Sequence, residues 1–182
     1  MFLFAARRAA YRPMNSLPET TPTPSLLPAI LVGGLLAGVI DAASAIHHFG
    51  WGMFYGIASG LLGSKANPAA GGGGPAIWTL GVALHFLIAG GSAAAYCFFS
   101  RALGLRSDRF LVGGLMCGIA VFLTMNLVVL PLSAVPFPVG PFKVQDLRLG
   151  ILLTTLLVGL PISVSHWFFS RRASFARSGA DT

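Results

Sequence analysis

Long apolar runs, closed by arginines or prolines, divide the chain. A spanning helix needs about 20 mostly apolar residues, because each adds ~1.5 Å of rise across a hydrocarbon core ~30 Å thick. Four segments qualify: 26–46, 76–99, 110–132 and 147–169. Their apolar positions run on rather than alternate, and a helix satisfies its own backbone groups in lipid, so strands are excluded. The pattern predicts an all-α membrane protein with four transmembrane helices in one domain over 26–170, flanked by tails at 1–25 and 171–182.

The segments between the runs differ in character. The first, 47–75, is longer than a turn requires, and its opening HHFGWGMFYGIASGLLG is rich in aromatics. Aromatic rings favour the membrane interface, so 49–62 is expected as a short interfacial helix, too short to cross. SKANPAAGGGGP then reads as a flexible hinge. The third connection holds Pro131, Pro136, Pro138 and Pro141 and is expected as a stiff, extended cap. A Pro-rich tether over 18–28 precedes the first span. No long internal repeat is evident.

Composition agrees with a membrane solvent. Hydrophobic residues make up 55% of the 182 and charged residues 9%, against roughly 25% charged in soluble domains. So few charges cannot coat a soluble globule. High hydrophobicity excludes a disordered chain, and two cysteines exclude a disulfide-stapled module. Cys97 and Cys117 are expected as reduced, apolar side chains.

Net charge is +7, from 12 basic and 5 acidic residues. The basic residues fall in short clusters between apolar runs, not on one aromatic-laced face, so nucleic acid is excluded as a partner. Arg7, Arg8, Arg12, Arg101, Arg106, Arg109, Arg171, Arg172 and Arg177 share one side of the predicted topology; Lys65, Lys143 and Arg148 lie on the other. Cytoplasmic segments carry the Lys and Arg excess, which puts both termini in the cytoplasm. Arginine greatly outnumbers lysine and Ala and Gly abound, a composition typical of GC-rich bacterial genomes. The expected location is a bacterial cytoplasmic (inner) membrane. MFLFAARRAAYRPMNS fails as a signal peptide because its short apolar part precedes the arginines; translation from Met14 is the plainer alternative.

Ionisable and strongly polar groups inside spans are costly and mark candidate sites. Asp41, His85, Asn126, Thr154 and Thr155 all fall ~8 to 13 Å below the outer surface at ~1.5 Å per residue. Each span therefore offers a polar group at one depth. Small residues, Gly34, Gly38 and Ala45, then Gly81, Ala89 and Ala93, then Gly114 and Gly118, then Thr155, Gly159 and Ser163, most of them at four-residue steps, predict close helix approach around that layer. Two roles compete for it. One is a proton-titrating Asp41–His85 pair; the other is interhelical hydrogen-bond glue, at ~0.6 to 2 kcal/mol per pair.

Other chemistry is sparse. His47 and His48 are adjacent and so diverge on a helix, which leaves them as interfacial polarity rather than a metal site. His166 lies too far in depth from His85 to share one haem. GGGG over 71–74 lacks a following Lys-Ser or Lys-Thr. No GxSxG, HExxH or CxxC occurs. Hence no catalytic residue, metal or cofactor is expected, and the chain reads as non-enzymatic.

GGLLAGVIDAASAI, FYGIASGLLG, GVALHFLIAG, MNLVVLPLSAVP and TLLVGLPI look like segments of small bacterial four-span inner-membrane proteins. Over roughly 33–161 the layout is distantly similar to the YagU-like family: a Gly-rich first span, a long outer loop, a His-bearing second span and a Pro-rich outer loop. The resemblance implies membrane placement and no particular activity. It also implies a further histidine in or near the fourth span, where this chain has Thr154 and Thr155. The expected role is an accessory or stress-related membrane component whose partners are the lipid bilayer and a second copy or another membrane protein. The alternative is a small proton-coupled transporter or channel subunit using Asp41 and His85.

Overall fold

A computed structural model describes residues 25–105, 107–136 and 144–178. Residues 1–24 with the tail arginines and most of the tether, Arg106, Lys143, most of the Pro-rich cap and residues 179–182 lie outside them; the end of the expected tether, Leu27 and Pro28, already belongs to the first helix. All regular elements among the described residues are helical. We number them α1 (Leu27–Phe49), α2 (Met53–Leu62), α3 (Pro75–Ala102), α4 (Phe110–Leu132) and α5 (residues 144–178). Leu27–Phe49, Pro75–Ala102, Phe110–Leu132 and the Asp146–Arg172 stretch of α5 are long and apolar enough to cross a membrane.

Several boundaries move from the sequence expectation. α1 continues through His47 and His48 to Phe49 and ends where Gly50, at φ 71°, takes a conformation that side chains disfavour. The short helix therefore starts at Met53 rather than 49. SKANPAAGGGGP is a folded turn, not a loose hinge: 3-10 turns at Gly63–Ala66 and Pro68–Ala70 bury Ala66, and Gly72 N–H donates to Asn67 O at 3.0 Å. α5 stays helical through Ser178, into the expected tail.

Packing inverts the water-soluble arrangement. The core is small, built on Ala37, Ala93, Cys117, Val158 and Ile162, while Leu31, Leu35, Val39, Leu87, Leu111 and Leu152 point outward. The small positions singled out around the polar layer are buried, except Ala45, which is half-buried. Without side chains in the way, backbones touch: a Cβ on Gly34 would sit 2.8 Å from Gly90 Cα, and one on Gly159 would strike Gly114 O.

The expectation of no internal repeat is corrected by this packing. LVGGLLAGVI at 31–40 and LVGGLMCGIA at 111–120 are identical at six of ten positions; LGVALHFL at 80–87 matches LGILLTTL at 149–156, and FFSR recurs at 98–101 and 168–171. From the LG motif to FFSR the second copy is one residue longer than the first. That residue falls in a π-helical turn, Thr155–Gly159, where Leu160 N–H reaches back to Thr155 O. A π turn accommodates one extra residue without breaking the helix. Equivalent positions then pack alike: Gly34 faces Gly90 on α3 as Gly114 faces Leu160 on α5, and Gly38 faces Phe86 as Gly118 faces Thr155. The bundle is thus two related hairpins, α1–α3 and α4–α5. The insertion and the divergence between short matches hid the repeat from periodicity alone.

A second π turn, Met125–Val129, lies in α4. TMNLVVLPLS at 124–133 and TTLLVGLPIS at 154–163 share six of ten residues, and in each a proline follows the π turn by two positions. Proline has no N–H and its ring crowds the carbonyl four residues back. Widening the preceding turn relieves that conflict inside a span.

Candidate functional site

Five helices converge on a cavity of about 510 Å³ under α2. Asp41 from α1, His85 from α3 and Thr154 from α5 line it, with Met125 of the α4 π turn on the remaining side. Three of the five residues expected in one polar layer therefore share a chamber. Asn126 and Thr155 do not. Asn126 Nδ2 donates to Phe122 O of its own helix at 2.8 Å. Thr155 is buried in the α4–α5 seam against Gly118, and its Oγ1 makes no hydrogen bond. Which spans carry a polar group was legible; the direction around each helix axis was not.

His85 is a tie between helices. Its Nε2–H donates to the Gly38 carbonyl of α1 at 2.9 Å, and since a carbonyl only accepts, this nitrogen carries the proton. Ala42, one turn along α1, is small enough to leave that carbonyl approachable. The ring is also held edge-on by Phe54, 6.1 Å between centroids, and by Phe86 at 5.4 Å. Burying an imidazole without such a partner would cost more than the bond returns.

Asp41 is differently placed. It lies within electrostatic range of His85 on the chamber wall, yet its carboxylate makes no hydrogen bond or ion pair with any described residue. The two serine hydroxyls on the wall bond within their own chain segments, Ser92 donating to Ile88 O at 2.8 Å and Ser133 to Leu130 O at 2.7 Å. The chamber thus presents an unbonded carboxylate and a fixed imidazole.

Aromatic rings connect the chamber to the loop above. Trp51 and Trp78 lie 6.2 Å apart, Trp78 and Phe54 5.0 Å, and Trp78 Nε1–H donates to Trp51 O at 3.1 Å. Docking of α2 depends on Gly81, where a Cβ would collide with the Phe54 carbonyl. Ala134 N–H, beyond α4, donates to Gly60 O at 2.9 Å and fastens the other end of α2.

A second interhelical tie escaped the sequence reading. Ser165 Oγ donates to Ala29 O on α1 at 3.1 Å. The available signal was Gly33, one turn after Ala29, which bares that carbonyl to a small polar partner. Nearby, Tyr96 and His166 meet edge-on at 5.6 Å across α3 and α5. His47 and His48 are exposed, and His48 Nδ1–H donates to Ser44 O at 2.8 Å. Cys97 and Cys117 are buried and free. No group of three or more His, Cys, Asp or Glu among the described residues is arranged to hold a metal.

Comparison with family models, curated proteins and solved structures finds no match to the chain.

Proposed function

We propose that the chain is a non-enzymatic multi-pass protein of the bacterial cytoplasmic membrane, laid out like the YagU-like family, with both termini in the cytoplasm and α2 at the outer interface. It serves as an accessory or stress-related component, and its polar layer chiefly fixes how the spans pack. The observation carrying this reading is the His85–Gly38 hydrogen bond, because it commits the one buried histidine of the chamber to helix packing. Ser165 on Ala29 supports it at the opposite end of α1. The nine arginines on the side of the termini support the orientation.

A second reading, a small proton-coupled transporter or channel subunit, is favoured by one feature: the unpartnered Asp41 carboxylate facing the same chamber as His85. Two variants separate them. His85→Leu in detergent should lower the unfolding free energy by about 1 kcal/mol, within the range of such bonds, while Asp41→Asn leaves stability nearly unchanged. Proteoliposomes of the wild type should show no pH-driven flux. Flux that Asp41→Asn abolishes while the protein stays folded would replace the packing role with the transport one.

A further inference from the structure

The repeat makes one seam of the bundle conspicuous. α1 packs closely on α5, with a Cβ on Gly33 3.2 Å from Ser165 Cβ, but the corresponding pair, α3 and α4, is held apart. Between them runs a cleft of about 920 Å³, walled by Ala95 and Ser92 on α3 and by Met116 and Ala120 on α4. Its sides are overwhelmingly apolar. At one end it is closed by the short α3–α4 connection, Leu103 to Leu105, where Arg109 joins the lining. α4 is also the least buried of the four candidate spans.

We infer that this cleft holds one acyl chain of an anionic phospholipid, with Arg109 taking the phosphate. Width selects the chain over a helix. Tyr96 reaches from α3 until its hydroxyl touches Gly113 on α4, so the floor is a single side chain wide, whereas a helix needs ~10 Å. A second copy of this protein therefore does not seat there. An apolar cleft open to hydrocarbon does not hold water, and a flexible tail fills it at no cost in polar groups. Charge selects the headgroup, because Arg109 caps the start of α4, at the end of a span where headgroups lie on either side of a bilayer.

The site rests on the membrane placement proposed above and not on the direction of insertion. Its test is native mass spectrometry of the full chain, released from detergent after exposure to equal phosphatidylglycerol and phosphatidylcholine. One phosphatidylglycerol should stay with each chain, preferred about fivefold, the ratio equivalent to ~1 kcal/mol for one arginine near an anionic surface. Arg109→Gln should erase the preference, Ala120→Trp should empty the cleft, and Arg148→Gln, at the other end of the bundle, should change neither. Equal retention of both lipids, or retention untouched by Ala120→Trp, overturns the inference. So does a wild-type dimer that Ala120→Trp splits into monomers. A chain that stays soluble without detergent fails the membrane reading instead, and that failure is seen before any lipid is added.

Discussion

Gly159→Val should be the most damaging single substitution in the bundle. Position 159 lies in the α5 π turn, where a Cβ would strike Gly114 O and sit 2.7 Å from Gly118 N. Both neighbours are backbone, so no side chain can swing aside. Overpacking of this kind costs about 3 kcal/mol, a large share of the 5–15 kcal/mol that typically holds a domain together. The α4–α5 hairpin should open, and the midpoint of thermal unfolding in detergent, followed by helical circular dichroism, should drop by about 10 °C. Gly91→Ala provides the contrast. Nothing lies within 4 Å of a Cβ there, and replacing a helical glycine by alanine stabilises by up to ~1 kcal/mol. Equal midpoints for Gly159→Val and wild type would mean that the two spans do not meet at this glycine.

Gly81→Val should release α2 while leaving the spans formed. The added Cβ would coincide with the Phe54 carbonyl, so α2 must lift from α3. With it go the Trp78–Trp51 hydrogen bond and the contacts of Phe54 with Trp78 and His85. At about 2 kcal/mol of overpacking, the undocked population should grow on the order of 30-fold. Proteolysis within 50–74 should accelerate by a similar factor, and tryptophan emission should shift to the red. Helical content should fall only slightly, because α1, α3, α4 and α5 do not depend on α2 for their own hydrogen bonds. A variant cleaved at the wild-type rate would contradict the docking.

Those two glycines show which parts of the fold the sequence disclosed. Gly81 and Gly159 stood out as small residues at four-residue steps, and each proves to be a place where another backbone passes. The spans themselves were plain, because an apolar run long enough to cross hydrocarbon has few alternative uses. Rotation was harder. Thr154 and Thr155 are adjacent in sequence, yet one lines the chamber and the other is sealed in the α4–α5 seam. A π turn beginning at Thr155 alters the 3.6-residue count on which any helical-face argument relies. Asn126 was expected in the shared polar layer, but a side-chain amide inside a span readily satisfies itself on its own helix. His85 and Asp41 were found together because each is a rare polar group at one depth. Their difference, one bonded and one unpartnered, depends on where the α1 carbonyls are bared, and only packing decides that.

The repeated hairpin also changes what the layout means. Parallel repeats of two spans enter the bilayer from the same side, so α1 and α4 share a direction and α3 and α5 share the other. That relation puts the start of α1, the end of α3, the start of α4 and the end of α5 on one face of the bundle.

The most direct measurement of membrane placement and orientation uses paired reporter fusions, alkaline phosphatase active only in the periplasm and a fluorescent protein that folds only in the cytoplasm. They are inserted after Thr182 and, in a second set, at Gly72 between α2 and α3. The account expects fluorescence without phosphatase activity at Thr182, and phosphatase activity without fluorescence at Gly72. Phosphatase activity at Thr182, or a fusion left in the supernatant after ultracentrifugation without detergent, would contradict it.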